Sequence, residues 1–216
     1  ETSVRINGEK GWFWTLQNEQ YTFIHCTDNR GYATLEGLFP KGLPHAIIGH
    51  DAYSAWFKLP AKGHQLCVAH LLRDMNFFEE VYKSEWVTNL KTLFKDAIQQ
   101  KNKPIQPFQN FNSKLAKLLE NPPDTNHTLL VPFVKRLLKY KESLFNFLDY
   151  EFVPADNNAS ERAIRNAKVK TKISGQFKSI ENAQIFAILR SVVDTLNKNN
   201  QPILVSLQNL ANFRPE

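Results

Sequence analysis

The chain has 216 residues, with 27 Lys and Arg against 21 Asp and Glu, for a net charge of +6. A hydrophobic fraction of 42% that includes 16 Phe is enough for a packed core and argues against global disorder. No apolar run approaches the ~20 residues of a membrane span, the opening residues do not read as a signal peptide, and two cysteines form no disulfide framework, so a reduced cytoplasm is expected.

Three antiparallel strands are predicted first. Thr2-Ser3-Val4-Arg5-Ile6 alternates and stops at Asn7-Gly8, a strong two-residue hairpin signal. Gly11 to Leu16 and Tyr21 to Cys26 follow, separated by the polar run Gln17-Asn18-Glu19-Gln20. A short helix over Tyr32 to Phe39 ends at Pro40, Gly42 and Pro44. The run His45-Ala46-Ile47-Ile48-Gly49-His50-Asp51 lacks alternation, which predicts a strand buried on both faces of a helix-covered parallel sheet. Asp51 stands at its C-terminal end, where α/β sheets place ligands. A second such run, His64 to Val68, leads into His70-Leu71-Leu72-Arg73.

From about Phe77 the spacing turns helical. Val81, Tyr82, Trp86, Leu90, Leu93, Phe94, Ala97 and Ile98 predict one helix, broken by Pro104 and Pro107. Phe108 to Leu119 predicts a second, stopped at Asn121-Pro122-Pro123-Asp124, and Phe133 to Leu148 a third. Helices over 158–170 and 180–197 follow, the latter apolar nearly all round and so expected to be buried. Ile203, Leu204, Leu207 and Leu210 predict a last short helix. The aromatics Trp12, Trp14 and Trp86 read as core, and there is no internal repeat.

The chemistry concentrates in Pro154-Ala155-Asp156-Asn157-Asn158-Ala159-Ser160-Glu161-Arg162-Ala163-Ile164-Arg165. It sets one acid, Glu161, in the first turn of a helix whose other charges are Arg162, Arg165, Lys168, Lys170 and Lys172, with Lys178 beyond. An acid among bases suits a place where a metal and a polyanion meet. The plainer reading is a capping box, Asn158-x-x-Glu161, with Glu161 and Arg165 as an i,i+4 pair. Asp51 has its plain reading too, as a turn residue. Cys67-x-x-His70 suggests zinc, but zinc wants about four ligands and no second pair is visible; a buried role is the default for Cys67.

The residues His64 to Arg73, Asp51-Ala52-Tyr53, Asp156 to Arg165 and Lys172-Ile173-Ser174-Gly175 together resemble the insertion sequence 66 family of bacterial DDE transposases, over nearly the whole chain and in order. Departures are His50 where the family tends to have Ser, Ala52 for Gly and Val68 for Trp. The resemblance implies a ribonuclease H-like α/β fold, a mixed sheet of three antiparallel and then parallel strands flanked by helices. Residues 1–76 and 151–216 would form that core and 77–150 an all-helical insertion.

The same resemblance implies an Asp-Asp-Glu catalytic set that holds two Mg²⁺ or Mn²⁺ ions. It assigns the second Asp to Asp51 and the Glu to Glu161. The first Asp would fall immediately before Glu1, so this fragment is expected to be inactive in DNA cleavage and strand transfer. His70, Arg73, Arg162, Arg165, Lys168, Lys170 and Lys172 are then candidate contacts to the DNA backbone. The implied partners are transposon-end and target DNA and a further copy of the chain, with no membrane and no small-molecule cofactor; the implied location is the bacterial cytoplasm, at the nucleoid. The competing expectation is a transposase remnant without catalysis that binds DNA or oligomerises. A different nuclease on the same fold is a third.

Overall fold

A computed structural model describes residues 1–103, 110–123 and 129–213. Pro104, Pro107, Phe108 and Asp124, which entered the helix assignments above, lie outside the described residues. The chain is mixed α/β, with a three-stranded antiparallel sheet and a two-stranded parallel one, both flanked by helices. It divides into two compact units: Glu1–Thr34 with Asn158–Glu216, and Leu35–Asn157.

In the first unit β1 (Thr2–Ile6), β2 (Glu9–Gln17) and β3 (Thr22–Thr27) pair in that order. The hairpin turns where the sequence says it should, with Asn7 and Gly8 both at positive φ (49° and 83°). Positive φ at both central positions is what a type I′ turn demands, and its twist matches that of the flanking strands. Val4, Ile6, Phe13, Ile24 and Cys26 point to one face of the sheet. They pack on Ile164 and Ala167 of α8 (Asn158–Ser174), on Phe177, and on Ala183 and Ala187 of α9 (Ile180–Lys198). Gly175, at φ +72°, ends α8 in the left-handed conformation that glycine adopts most readily. The chain then returns to the sheet: Phe177 donates to the Arg5 carbonyl and accepts from the Asn7 amide, each at 2.8 Å.

β3 is an edge strand, and α9 covers its free amides with hydroxyls. Ser191 Oγ accepts from the Ile24 amide at 2.8 Å, and Thr195 Oγ1 from that of Thr22 at 3.1 Å. An edge capped this way is no template for another strand.

The second unit holds β4 (Leu43–His50) and β5 (Ala61–Leu66), paired in parallel and joined through α2 (Ser54–Lys58). α3 (Val68–Tyr82) and α4 (Glu85–Asn102) follow, then α5 (Phe111–Glu120), α6 (Leu130–Lys139) and the short α7 (Asn146–Asp149). One apolar cluster runs from Leu66 and Val68 through Phe94, Phe111 and Leu137 to Phe147 and Val153. α1 (Tyr32–Leu38) crosses the division between the units, and α10 (Ile203–Asn212) follows α9.

Four expectations change. β4 is not buried on both faces: Pro44, His45 and Gly49 are exposed, and only Ile48 and His50 are deeply covered. Helical structure starts at Val68 rather than near Phe77, because β5 ends at Leu66; α3 then breaks at Lys83, which is left-handed at φ 47°. Position 76/77, where the sequence divided core from insertion, therefore falls inside α3. The helix expected to reach Leu148 stops at Lys139. Beyond it the buried Gln65 carboxamide takes over backbone pairing, donating to the Leu144 carbonyl at 3.0 Å and accepting from the Phe147 amide at 2.9 Å.

α9 is the fourth. It is not buried all round: only Ala183 and Ala187 are fully covered, while Ile185, Ile188 and Leu189 are 55%, 61% and 51% exposed. Its alanines face the sheet because they allow close approach, Phe186 packs beside them on Phe13 and Phe177, and Ile185, Ile188 and Leu189 face outward.

Candidate metal and nucleic-acid site

Asp51 belongs to the second unit and Glu161 to the first, so each is described within its own unit. Asp51 is the residue after β4, at the C-terminal end of the parallel pair. Its Oδ1 accepts from the Tyr53 amide at 3.0 Å, an Asx turn that leads into α2. His50, 3% exposed, lies against the rings of Trp56 and Phe57. Its Nδ1 meets the Asp51 carbonyl and its Nε2 lies 3.1 Å from His64 Nδ1. A neutral His50 that donates from Nδ1 accepts at Nε2, which makes His64 the donor of that bond. Burial pushes His50 down to about 4, against the raising influence of the Asp51 carbonyl; burial lowers His64 as well.

Cys67 ties three segments together at this end. Its amide donates to the His50 carbonyl at 2.8 Å, and its Sγ accepts from the Asn157 amide at 3.4 Å. The next residue, Val68, donates to Ala155 at 2.8 Å. Burial raises the Cys67 thiol, while the amides of Asn157, His70 and Ala69 pull it the other way. The strand end that carries Asp51 is thus bonded, through Cys67, to residues 155–157, which run into α8. His70 is half-buried in the first turn of α3, whose N-terminal amides favour anions, and Arg73 is exposed one turn on. Among the described residues Arg73 makes no ion pair.

On α8 the buried stripe is Ile164 and Ala167, which turns the charged residues outward. Glu161, Arg165, Lys168 and Lys172 fall at i, i+4, i+7 and i+11 and share one exposed face. Arg162 lies on a different face. Lys170 donates to Ser174 Oγ at 2.6 Å and sits 6.0 Å from the Phe177 ring. Of the tryptophans, Trp14 is fully buried and Trp86 donates to the Leu118 carbonyl at 2.7 Å. Trp12 is only half-buried, between Lys10 and Arg30 at 4.7 and 4.8 Å.

Carboxylate oxygens suit a hard divalent cation in kind. Among the described residues, however, no three His, Cys, Asp or Glu side chains converge as a metal would require. No helix there is long and apolar enough to cross a membrane.

A family model described as Transposase IS66 family matches residues 1–185. The chain belongs to the IS66 transposase family. No curated protein and no solved structure matches it. Membership makes this a DDE transposase domain and implies DNA as its partner and a divalent metal in its chemistry.

Two groups in this IS66 family domain escaped the sequence reading. The His50–His64 pair needs the parallel register to bring its members together. Arg190, Asp194 and Lys198 were legible at i,i+4 spacing on α9 but were passed over as part of an apolar helix.

Proposed function

We propose that this domain cleaves DNA strands and transfers them, with Asp51 and Glu161 as the second and third acids of a ribonuclease H-like catalytic core made of residues 1–76 and 151–216. Residues 77–150 are its helical insertion. The observation that carries this reading is the Glu161 face of α8, where one carboxylate is followed by Arg165, Lys168 and Lys172. A phosphodiester backbone that contacts those cations is drawn past Glu161. Such contacts hold DNA without reading its sequence.

Asp51 and Glu161 are the side chains that would hold Mg²⁺ or Mn²⁺. The bound ions would activate the attacking oxygen and stabilise the leaving one during in-line displacement. His70 and Arg73 at the start of α3, with Arg162 and Lys170 on α8, would add backbone contacts. The substrates are transposon ends and target DNA, handled at the bacterial nucleoid by more than one copy of the chain.

A second reading is a non-catalytic module that binds DNA or oligomerises. One experiment separates the two. A chain that carries Asp immediately before Glu1 is incubated with supercoiled DNA and Mn²⁺. Nicking that disappears in Asp51→Ala and in Glu161→Ala supports catalysis. Binding without nicking supports the module.

A further inference from the structure

α10 is firmly placed and yet uncovered. The turn that leads into it is fixed: Asn200 is left-handed at φ 54°, and the Gln201 amide donates to the Leu196 carbonyl at 2.9 Å. Asn199 Nδ2 donates to the Gln20 carbonyl at 2.7 Å, and Lys198 donates to Gln17 Oε1 and to the carbonyls of Asn18 and Tyr21 at 2.7 to 3.0 Å. α10 then packs on α9 without burying any of its ten residues. Leu204, Val205 and Leu210 are 72%, 51% and 54% exposed, and Phe213 just beyond them is 72% exposed. A helix that is apolar over most of its circumference is ordinarily buried.

α9 carries a matching surface. Its exposed Ile185, Ile188 and Leu189 run on into the half-buried Val192 and Leu196, a spacing with which one helix receives another. Half or more of an Ile or Leu left in solvent is on the order of 100 Å². The two helices together therefore approach the ~800 Å² that each partner contributes to a stable interface. Charge narrows the choice of occupant. Residues 199–213 hold no charged side chain, and neither does the α9 stripe. A DNA backbone or an anionic lipid surface would need cations there. A second copy brings what fits: an uncovered apolar helix for an uncovered apolar stripe. α10 and all of α9 after Ile185 lie past the residues that the family model matches.

We propose that two copies of the chain pair by exchanging α10, so that the α10 of each lies on Ile185, Ile188 and Leu189 of the other. Both helices belong to the first unit. The exchange is isologous: closing it fills both stripes and covers both α10 helices, which gives a two-fold dimer rather than an open chain of copies. The inference rests on the part of the reading above that calls for more than one copy, and supplies the interface. It is measured without DNA or metal, so it fails separately from the catalysis.

The test is sedimentation velocity of the full chain from about 1 to 100 μM. The wild-type chain should pass from 25.0 kDa to twice that mass. Ile188→Glu on α9 and Leu204→Lys on α10 should each raise the dissociation constant about tenfold or more, because each sets a charge against apolar surface. Both side chains are exposed in the single copy, at 61% and 72%, so the dilute variants should keep the wild-type melt. Mixing the two variants should restore pairing, since one exchanged contact is then unaltered and the other sets Glu against Lys. Val81→Lys, at a position 51% exposed on α3, should leave pairing unchanged. Pairing that survives both interface substitutions, that Val81→Lys weakens equally, or that mixing does not restore overturns the exchange and keeps the second copy. A wild-type chain that stays at 25.0 kDa throughout overturns both.

Discussion

The Asn157 amide donates to Cys67 Sγ at 3.4 Å, four residues before Glu161 in sequence, while the Cys67 amide holds the carbonyl of His50, the neighbour of Asp51. A thiol in this position is a structural acceptor. It needs neither zinc nor a partner cysteine to account for its burial, and both cysteines are free.

Both thiols should therefore be unreactive in the native state. Burial pushes Cys26 up to about 12 and raises Cys67. A thiol whose folded pKa is raised contributes stability that is complete below its unfolded value and lost as pH rises through the folded one. Alkylation at pH 8 should label neither cysteine until denaturant is added. For Cys26, stability should decline from about pH 9 towards pH 12. Cys67→Ala should cost about 1 kcal/mol in urea unfolding through the lost acceptor; rapid labelling of Cys67 in the folded chain would contradict its place in the structure.

Gln65 is the most heavily used buried polar side chain described. Its Nε2 donates to the carbonyls of Leu66 and Leu144, and its Oε1 accepts from the Phe147 amide. Gln65→Met keeps the volume and strands those backbone groups, so it should destabilise the chain by about 3 kcal/mol in a urea melt. A loss well under 1 kcal/mol would mean that the break after α6 is held by something else.

α9 makes an unusual prediction for an apolar helix. Ile185→Lys and Ile188→Lys should leave stability within about 0.5 kcal/mol, because both positions are exposed. Ala187→Leu should cost about 1–3 kcal/mol by overpacking the contact with the sheet. Thermal melts of the three variants decide whether the small residues or the large ones face the core.

On the proposed function, the exposed face of α8 would set the salt dependence of DNA binding. Each phosphate contact on duplex DNA contributes about 0.9 to the slope of log affinity against log salt. Replacing Arg165, Lys168 and Lys172 with Ala should lower that slope by about 2 to 3. An unchanged slope would make the stripe a solvated face with no nucleic-acid role.

Local rules made the first unit legible. Asn7-Gly8 set the hairpin and alternation set the faces of β1, whereas α8 runs past the expected end at 170 to Ser174. The second unit was harder to read because distant side chains settle its ends. Nothing near Tyr140 says that Gln65, more than seventy residues earlier, will break a helix there. α9 misled because hydrophobicity does not distinguish the Ala stripe that packs from the Ile and Leu stripe that does not. Glu161 stood out as an acid among bases, and Asp51 as the end of an apolar run.

Strand transfer tests the central claim most directly. A labelled oligonucleotide that ends in a free 3′ hydroxyl is mixed with target DNA, Mg²⁺ and the chain extended by Asp before Glu1. The joined product should form. It should fall roughly 10³-fold in Asp51→Asn and in Glu161→Gln, the scale on which losing several kcal/mol of metal-ion stabilisation slows a reaction. Joining at the unmodified rate in either variant would contradict the assignment of Asp51 and Glu161 as catalytic acids.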